Sequence, residues 1–220
     1  MEILNIKQLS KHYLDGENLI KAVDKINLNI EQGEFVSIVG SSGSGKTTLL
    51  NLIGGIDSPT SGEIIIDGTD LLSLNETERT IFRRRKVGFI FQSYNLVPVL
   101  NAWENIVLPI ELDGRSVDES YIIDLMKVLK IEDRKNHLPS ALSGGEQQRV
   151  AIARAIASNP SIILADEPTG NLDSENSDEV MHLLKTCVDK YGITLILITH
   201  NEDISNMSGR IVHLKDGKVI

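Results

Sequence analysis

The stretch FVSIVGSSGSGKTT, residues 35–48, decides the fold class. An apolar run rich in β-formers, Phe35–Val39, leads straight into Gly40, Ser41, Ser42, Gly43, Ser44, Gly45, Lys46 and Thr47. Those eight spell G-x-x-x-x-G-K-T, and a helical pattern follows over 47–53. Strand, glycine-rich loop and helix in that order suit one kind of ligand. Glycines let backbone N–H groups turn inward around phosphate oxygens, and the helix start adds the positive end of its dipole. Lys46 can reach the β and γ phosphates, and Thr47 offers its hydroxyl to Mg2+. A neutral or cationic ligand would gain nothing from this arrangement.

Two further short apolar runs, 162–165 and 193–198, are bounded by polar residues and read as buried parallel strands. The first ends in Asp166-Glu167 and the second in Thr199-His200, so polar chemistry collects at the carboxyl ends of strands, where open α/β sheets bind ligands. Of the two acidic residues, Asp166 can hold the magnesium shell while Glu167 orients or polarises a water. The opening stretch to about residue 32, and 63–67, carry β-formers between the turn signals Asp15-Gly16 and Asp67-Gly68, which predicts an antiparallel flank. Between roughly 95 and 158 the pattern turns helical: Tyr121, Leu125 and Leu129 recur every four residues, and 150–157 is alanine-rich.

A chain of 220 residues with 41% hydrophobic content can bury a proper core. None of its apolar runs approaches the roughly 18 to 20 residues that span a bilayer, and MEILNIKQ lacks a signal-peptide pattern, so a soluble protein made without export is expected. The single cysteine, Cys187, lies in a helical pattern and reads as a semi-buried structural thiol in a reducing compartment. A formal charge of −9 argues against nucleic acid as a partner, because phosphate neutralisation needs clustered Lys and Arg. The one such cluster, residues 83–86, reads as a solvated helix end.

The stretch LSGGEQQR, residues 142–149, followed by VAIARAIA, chooses among phosphate-binding families. Ser143, Gly144, Gly145 and Glu146 open a helix with a two-glycine turn, an anion-binding nest with no lysine to complete a phosphate site by itself. It looks like half of a site. With this stretch, the chain resembles the ABC ATPase family over its whole length. The resemblance implies an α/β fold: a three-layer P-loop ATPase core with a mostly parallel sheet, an antiparallel β flank and a helical subdomain inserted at about 95–158, in one nucleotide-binding domain over 1–220.

The resemblance also assigns roles. Tyr13 matches the aromatic that stacks on adenine and Val23 the small apolar residue beside it, while the phosphate-loop contacts extend to Thr48. Gln92 matches the glutamine that touches Mg2+ and the attacking water, alongside Thr47 and Asp166 as metal-binding groups. Glu167, His200, Lys46 and Gln92 form the expected catalytic set, His200 as the switch histidine at the γ-phosphate. Ser143 to Glu146, with Asp173 of Asn171-Leu172-Asp173, would act across an ATP-bound homodimer. A separate transmembrane permease is implied, docked near 93–109 with Leu96 and Val99 as candidate contacts, and with it a cytoplasmic place on the inner face of the membrane. Trp103 and Ile106, at helical spacing, read as core. The remaining histidines, His12, His137, His182 and His213, read as surface or packing residues.

Two spellings depart from the commonest pattern: Glu146 stands where glutamine is usual, and Gly-Asn-Leu-Asp where Ser-Ala-Leu-Asp is frequent. The segments PSALSGGEQQRVAIARA and DEPTGNLD are most similar to the branch serving macrolide export, lipoprotein release and bacitracin resistance. Three rivals share some motifs: an ABC ATPase acting on nucleic acid or ribosomes, a non-transporting regulatory subunit of a membrane complex, and a small-molecule kinase. The first usually carries coiled coils or a second cassette, absent here, and the last would leave the 142–149 stretch and Gln92 without a purpose.

Overall fold

The computed structural model describes residues 1–16 and 18–220, so Glu17, beside the expected Asp15-Gly16 turn, lies outside the described residues. The elements in chain order begin with β1 (Glu2–Asp15), β2 (Asn18–Glu31), β3 (Phe35–Val39), α1 (Lys46–Ile53), β4 (Ser61–Ile66), β5 (Thr69–Asp70) and α2 (Glu76–Lys86). There follow β6 (Val87–Phe91), α3 (Ala102–Leu112), α4 (Glu119–Val128), α5 (Gly144–Ala157), β7 (Ile162–Asp166) and α6 (Ser174–Tyr191). The last are β8 (Thr194–Ile198), α7 (Glu202–Ser205), β9 (Arg210–Lys215) and β10 (Lys218–Val219). The chain divides into two compact units, Met1–Arg83 with Thr194–Ile220, and Arg84–Ile193.

In the first unit the expected antiparallel flank is a sheet in the order β2-β1-β4-β5. Its strands alternate because one face is wet: Ile26, Leu28 and Ile30 of β2 are buried while the residues between them are exposed. A second set of strands in this unit runs β10-β9-β3-β8, with β3 parallel to both β9 and β8. Phe35, Val36, Ile38 and Leu195 to Ile198 are all buried, which explains why β3 and β8 read as continuous apolar runs rather than alternating ones.

In the second unit β6 and β7 pair in parallel, with Phe91 opposite Asp166. The helices expected over 95–158 are α3, α4 and α5. The last packs on α3, α4 and α6, its small alanines Ala151, Ala153 and Ala155 buried with Val150, Ile152 and Ile156. Helix starts are marked by side chains that satisfy otherwise unpaired N–H groups: Asn101 for α3, Asp118 for α4, Ser143 for α5 and Asp173 for α6.

Two sequence expectations need correction. The 83–86 cluster is the end of α2, as expected, but its arginines are paired rather than simply solvated. In the first unit Arg83 donates to the Gly55 carbonyl, and in the second Arg84, Arg85 and Arg115 converge on Asp113, whose side chain is only 2% exposed. A carboxylate so enclosed is held ionised, below its usual range, chiefly by the Arg85 hydrogen bond. Cys187 is fully rather than semi-buried, and burial pushes its thiol up to about 12, so it stays a protonated packing group. Among the described residues no helix is long and apolar enough to cross a membrane.

Candidate functional site

The first unit carries the phosphate loop. Gly45, at φ 101°, ends it in a conformation that disfavours any residue with a Cβ, and a Cβ there would lie 2.1 Å from the Ala22 carbonyl oxygen. The loop is braced from below by Gly217, whose N–H donates to the Ser44 carbonyl. Unlike α3, α4, α5 and α6, α1 starts without a side-chain cap, so the N–H groups of its first turn remain for a ligand. Ser44 Oγ is buried without a hydrogen-bond partner, and Lys46 Nζ arches over the loop to donate to the Gly40 and Ser41 carbonyls, 2.9 Å each. Uncapped amides, an orphan hydroxyl and a lysine ammonium around one loop fit a polyphosphate. Thr47 is exposed and Thr48 half-buried on the first turn of α1.

Beyond the loop, His200 follows β8 and lines a cavity of about 390 Å3 together with Gly40, Val39 and His213. The histidine and Gly40, the first residue of the phosphate loop, therefore line one hollow. Tyr13, 41% exposed on β1, is held by its neighbours: its phenol donates to Asp57 Oδ2 at 2.7 Å, and Lys11 Nζ, bound to Asp57 Oδ1 at 2.7 Å, lies 4.9 Å from the ring centre. Burial, then the Asp57 carboxylate, push the Tyr13 phenol up, so it remains a donor. Val23 is fully buried in β2, leaving Tyr13 as the member of the expected pair that offers a face. Lys11 and Asp57 were missed from sequence. Lys11, two residues before Tyr13, was findable by strand alternation, whereas Asp57 arrives from 44 residues away.

The second unit carries the acidic strand end. Because Phe91 stands opposite Asp166, Gln92 and Glu167 leave the same sheet edge one residue later. Glu167 sits at φ 48°, in the left-handed region that a non-glycine residue enters at a cost, and its carbonyl accepts from Gly170 N–H at 3.0 Å. Gln92 and Asn171 form a reciprocal pair: Gln92 Nε2 donates to Asn171 Oδ1 at 3.1 Å, and Asn171 Nδ2 to the Gln92 carbonyl at 3.0 Å. Asp173 caps α6, accepting from the Asn176 backbone and side chain at 2.9 and 2.8 Å, which lowers its pKa.

Ser143 and Glu146 form a capping box at the start of α5, Ser143 N–H donating to Glu146 Oε2 at 2.8 Å and Glu146 N–H to Ser143 Oγ at 3.3 Å. Gly144 and Gly145 are not a turn: neither has positive φ, and they are the first residues of α5, so the expected nest of alternating handedness is absent. They are small because of what presses on them. A Cβ on Gly144 would meet Tyr94 Oη at 2.9 Å, and one on Gly145 would meet Asn176 Oδ1 at 2.9 Å. Anion affinity at this end rests on the helix start itself.

The Glu146 spelling now has a reason, since its carboxylate also takes a 2.6 Å ion pair from Arg134 Nε. The Ser143 N–H and Arg134 together hold its pKa at about 2. A folded-state value below the ordinary one adds stability that is present above about pH 4.5 and lost as pH falls toward 2. Glu146→Gln is therefore expected to lower the urea midpoint at neutral pH, with the gap from wild type closing over that acid window. A gap unchanged down to pH 2 would show that the ion pair contributes nothing.

In the stretch expected to dock a partner, Val99 is 78% exposed and Leu96 half-buried. Ile106 is core as expected, whereas Trp103 stays half-exposed with Lys135 Nζ 3.8 Å from its ring centre.

Residues 23–170 match the ABC transporter family. The chain is 47% identical to an ABC transporter ATP-binding protein of Methanocaldococcus jannaschii, over 99% of this chain and 95% of that one. It is 44% identical to the macrolide export ATP-binding/permease protein MacB of Mannheimia succiniciproducens, covering 100% of this chain and 34% of that longer protein. The solved dimeric ATP-binding cassette of the same Methanocaldococcus protein, in a post-hydrolysis state bound to ADP and Pi, superposes with a TM-score of 0.88 at 46% identity, over 99% and 96% of the two chains. An uncapped phosphate loop, an acidic strand end and a Ser-Gly-Gly helix start thus occur in a chain matched along nearly its full length: it belongs to the ABC transporter family, as an ATP-binding subunit.

Proposed function

We propose that this subunit hydrolyses ATP to ADP and phosphate and drives a separate membrane permease of the export type, two copies closing face to face on nucleotide and reopening after phosphate loss. The observation that carries the reading is the contrast between two helix starts. α1 begins uncapped behind a lysine-bearing loop, whereas α5 begins with Ser143 and two glycines and no lysine of its own. The second supplies half of what a triphosphate needs, and a twin molecule can supply the other half. The dimeric relative bound to ADP and Pi, and the ATP-binding/permease fusion MacB, point the same way.

In this reading the Gly40–Thr48 loop binds the phosphates, Lys46 offsets charge on the γ-phosphoryl oxygens, and Tyr13 stacks on the base through the face left open by Lys11 and Asp57. Thr47, Gln92 and Asp166 all offer oxygen, the donor type a hard cation prefers. Magnesium held by these residues would offset the charge that develops on the transferred phosphoryl group. Glu167 orients the attacking water, His200 contacts the γ-phosphate, and Ser143, Gly145 and Asp173 act on the nucleotide and loops of the partner copy. The permease docks along residues 93–109, with Val99 outward, which places the subunit on the inner face of the membrane.

Purified protein given MgATP is expected to release inorganic phosphate, and protein extracted with membranes is expected to bring down a membrane-spanning polypeptide identifiable by mass. Transfer of phosphate to an acceptor other than water, or recovery without any membrane polypeptide, would overturn the proposal.

A further inference from the structure

The amide pair between Gln92 and Asn171 fixes something that side-chain positions alone leave open. A glutamine can present either its oxygen or its NH2 to a given neighbour, and the two differ as cation ligands, since only the oxygen donates lone pairs. The ambiguity is resolved here by a group that has no choice. The Gln92 backbone carbonyl can only accept, so the Asn171 edge facing it at 3.0 Å is the NH2. Asn171 Oδ1 is then the edge turned toward the Gln92 side chain, and at 3.1 Å it requires a donor, which is Gln92 Nε2. By elimination, Oε1 is the end of Gln92 left for another partner.

Gly170 belongs to the same device. A Cβ at that position would lie 2.7 Å from Gln92 Nε2 and 2.8 Å from its Cδ, so any side chain there pushes the amide out of its pairing. Gln92 is exposed just after β6 and its amide is the far end of a long side chain, so such a substitution displaces the amide without straining the fold. The loop holding Asn171 is itself tied back to the strand end by the bonds from Gly170 N–H to the Glu167 carbonyl and from Leu172 N–H to the Thr169 carbonyl. Gly-Asn at 170–171 therefore acts as a unit, the first residue making room and the second setting direction.

We propose that Asn171 is a positioning residue for metal binding: it holds the Gln92 amide with Oε1 presented and so links the loop ending in Asp173 to the metal ligand. This rests on the reading of Gln92 as a magnesium ligand. Asn171→Ala and Gly170→Ser both release the amide, while removing no group proposed to touch metal or nucleotide.

The test has one readout without nucleotide and one with it. In nucleotide-free protein carrying 15N-glutamine, the Gln92 side-chain amide signal, identified by its loss in Gln92→Glu, is expected to sit away from the free-glutamine position. It should move to that position in Asn171→Ala and in Gly170→Ser, with thermal stability unchanged. In Mn2+ titrations followed by electron paramagnetic resonance with a non-hydrolysable ATP analogue, Asn171→Ala is expected to weaken Mn2+ binding by about threefold to tenfold, the size of one hydrogen bond's net effect. The analogue's affinity without metal should not change. If Gln92→Ala weakens Mn2+ binding but Asn171→Ala does not, or if the amide signal is the same with and without Asn171, the positioning role is overturned and the ligand reading survives. If Gln92→Ala itself leaves Mn2+ binding at the wild-type value, both fall.

Discussion

Glu167→Gln is expected to cut phosphate release by about a hundredfold to ten-thousandfold, the range for losing a general base, while ATP binding persists. Glutamine keeps the length and shape of the side chain and loses only the charge that polarises water. The groups proposed to hold the triphosphate are all elsewhere, in the Gly40–Thr48 loop, at His200 and in the partner copy's Ser143 helix start, so nucleotide should still draw two copies together. With the chemical step blocked, the closed dimer should accumulate in ATP and be visible by size-exclusion chromatography. The backbone supports a functional role for this position. Glu167 is held at φ 48°, a left-handed conformation costing roughly 1–2 kcal/mol for a residue with a Cβ, and glycine would occupy it at less cost. A variant that keeps full turnover, or stays monomeric in ATP, would remove Glu167 from the mechanism.

The second large effect is expected from mixing two inactive proteins. Lys46→Ala removes the ammonium that now bridges the Gly40 and Ser41 carbonyls, and should cost about a hundredfold to a thousandfold in hydrolysis, as for loss of a preorganised charge-stabilising group. For the other half, Ser143→Asp is the informative change. Ser143 Oγ caps α5, and aspartate caps a helix as well as serine does, so the fold is kept while a negative charge is set against phosphate. Each variant alone should be nearly inactive. In an equal mixture half of the dimers are heterodimers with one intact pocket, so activity should return to about a quarter of the wild-type level if pockets act independently in a symmetric pair. No recovery in the mixture, with each variant alone fully active as a monomer, would end the shared-pocket reading.

How much of this was legible before folding depended on the range of the interactions. The strand-loop-helix segment at 35–53 read correctly because every part of it is local: β3, the glycines and α1 follow one another without a break. The cores of β3, β7 and β8 read correctly for the same reason, since strands buried on both faces are apolar along most of their length. Gly144 and Gly145 misled. Paired glycines commonly signal a turn, but here they allow Tyr94 and Asn176 to approach the helix start, and closeness to a distant side chain leaves no local trace.

The 83–86 cluster, which does end α2, was legible only in part. A run of basic residues looks solvated until a buried carboxylate arrives, and Asp113 gives no sign in sequence that it will be that carboxylate. Glu146 and the Gly-Asn at 170–171 were visible only as unusual spellings. Their reasons, Arg134 and Gln92, came with the fold.

By itself, the order of residues determined a glycine-rich, lysine-bearing loop between a strand and a helix and a second strand followed by two carboxylates, because those devices are built from consecutive backbone and side-chain groups. Only the tertiary structure decided which way the Gln92 amide points, what steadies Tyr13 and where Glu146 finds its cation. Each of those depends on polar groups that many surface positions could offer, and which of them meet is settled by the packing of the core beneath them.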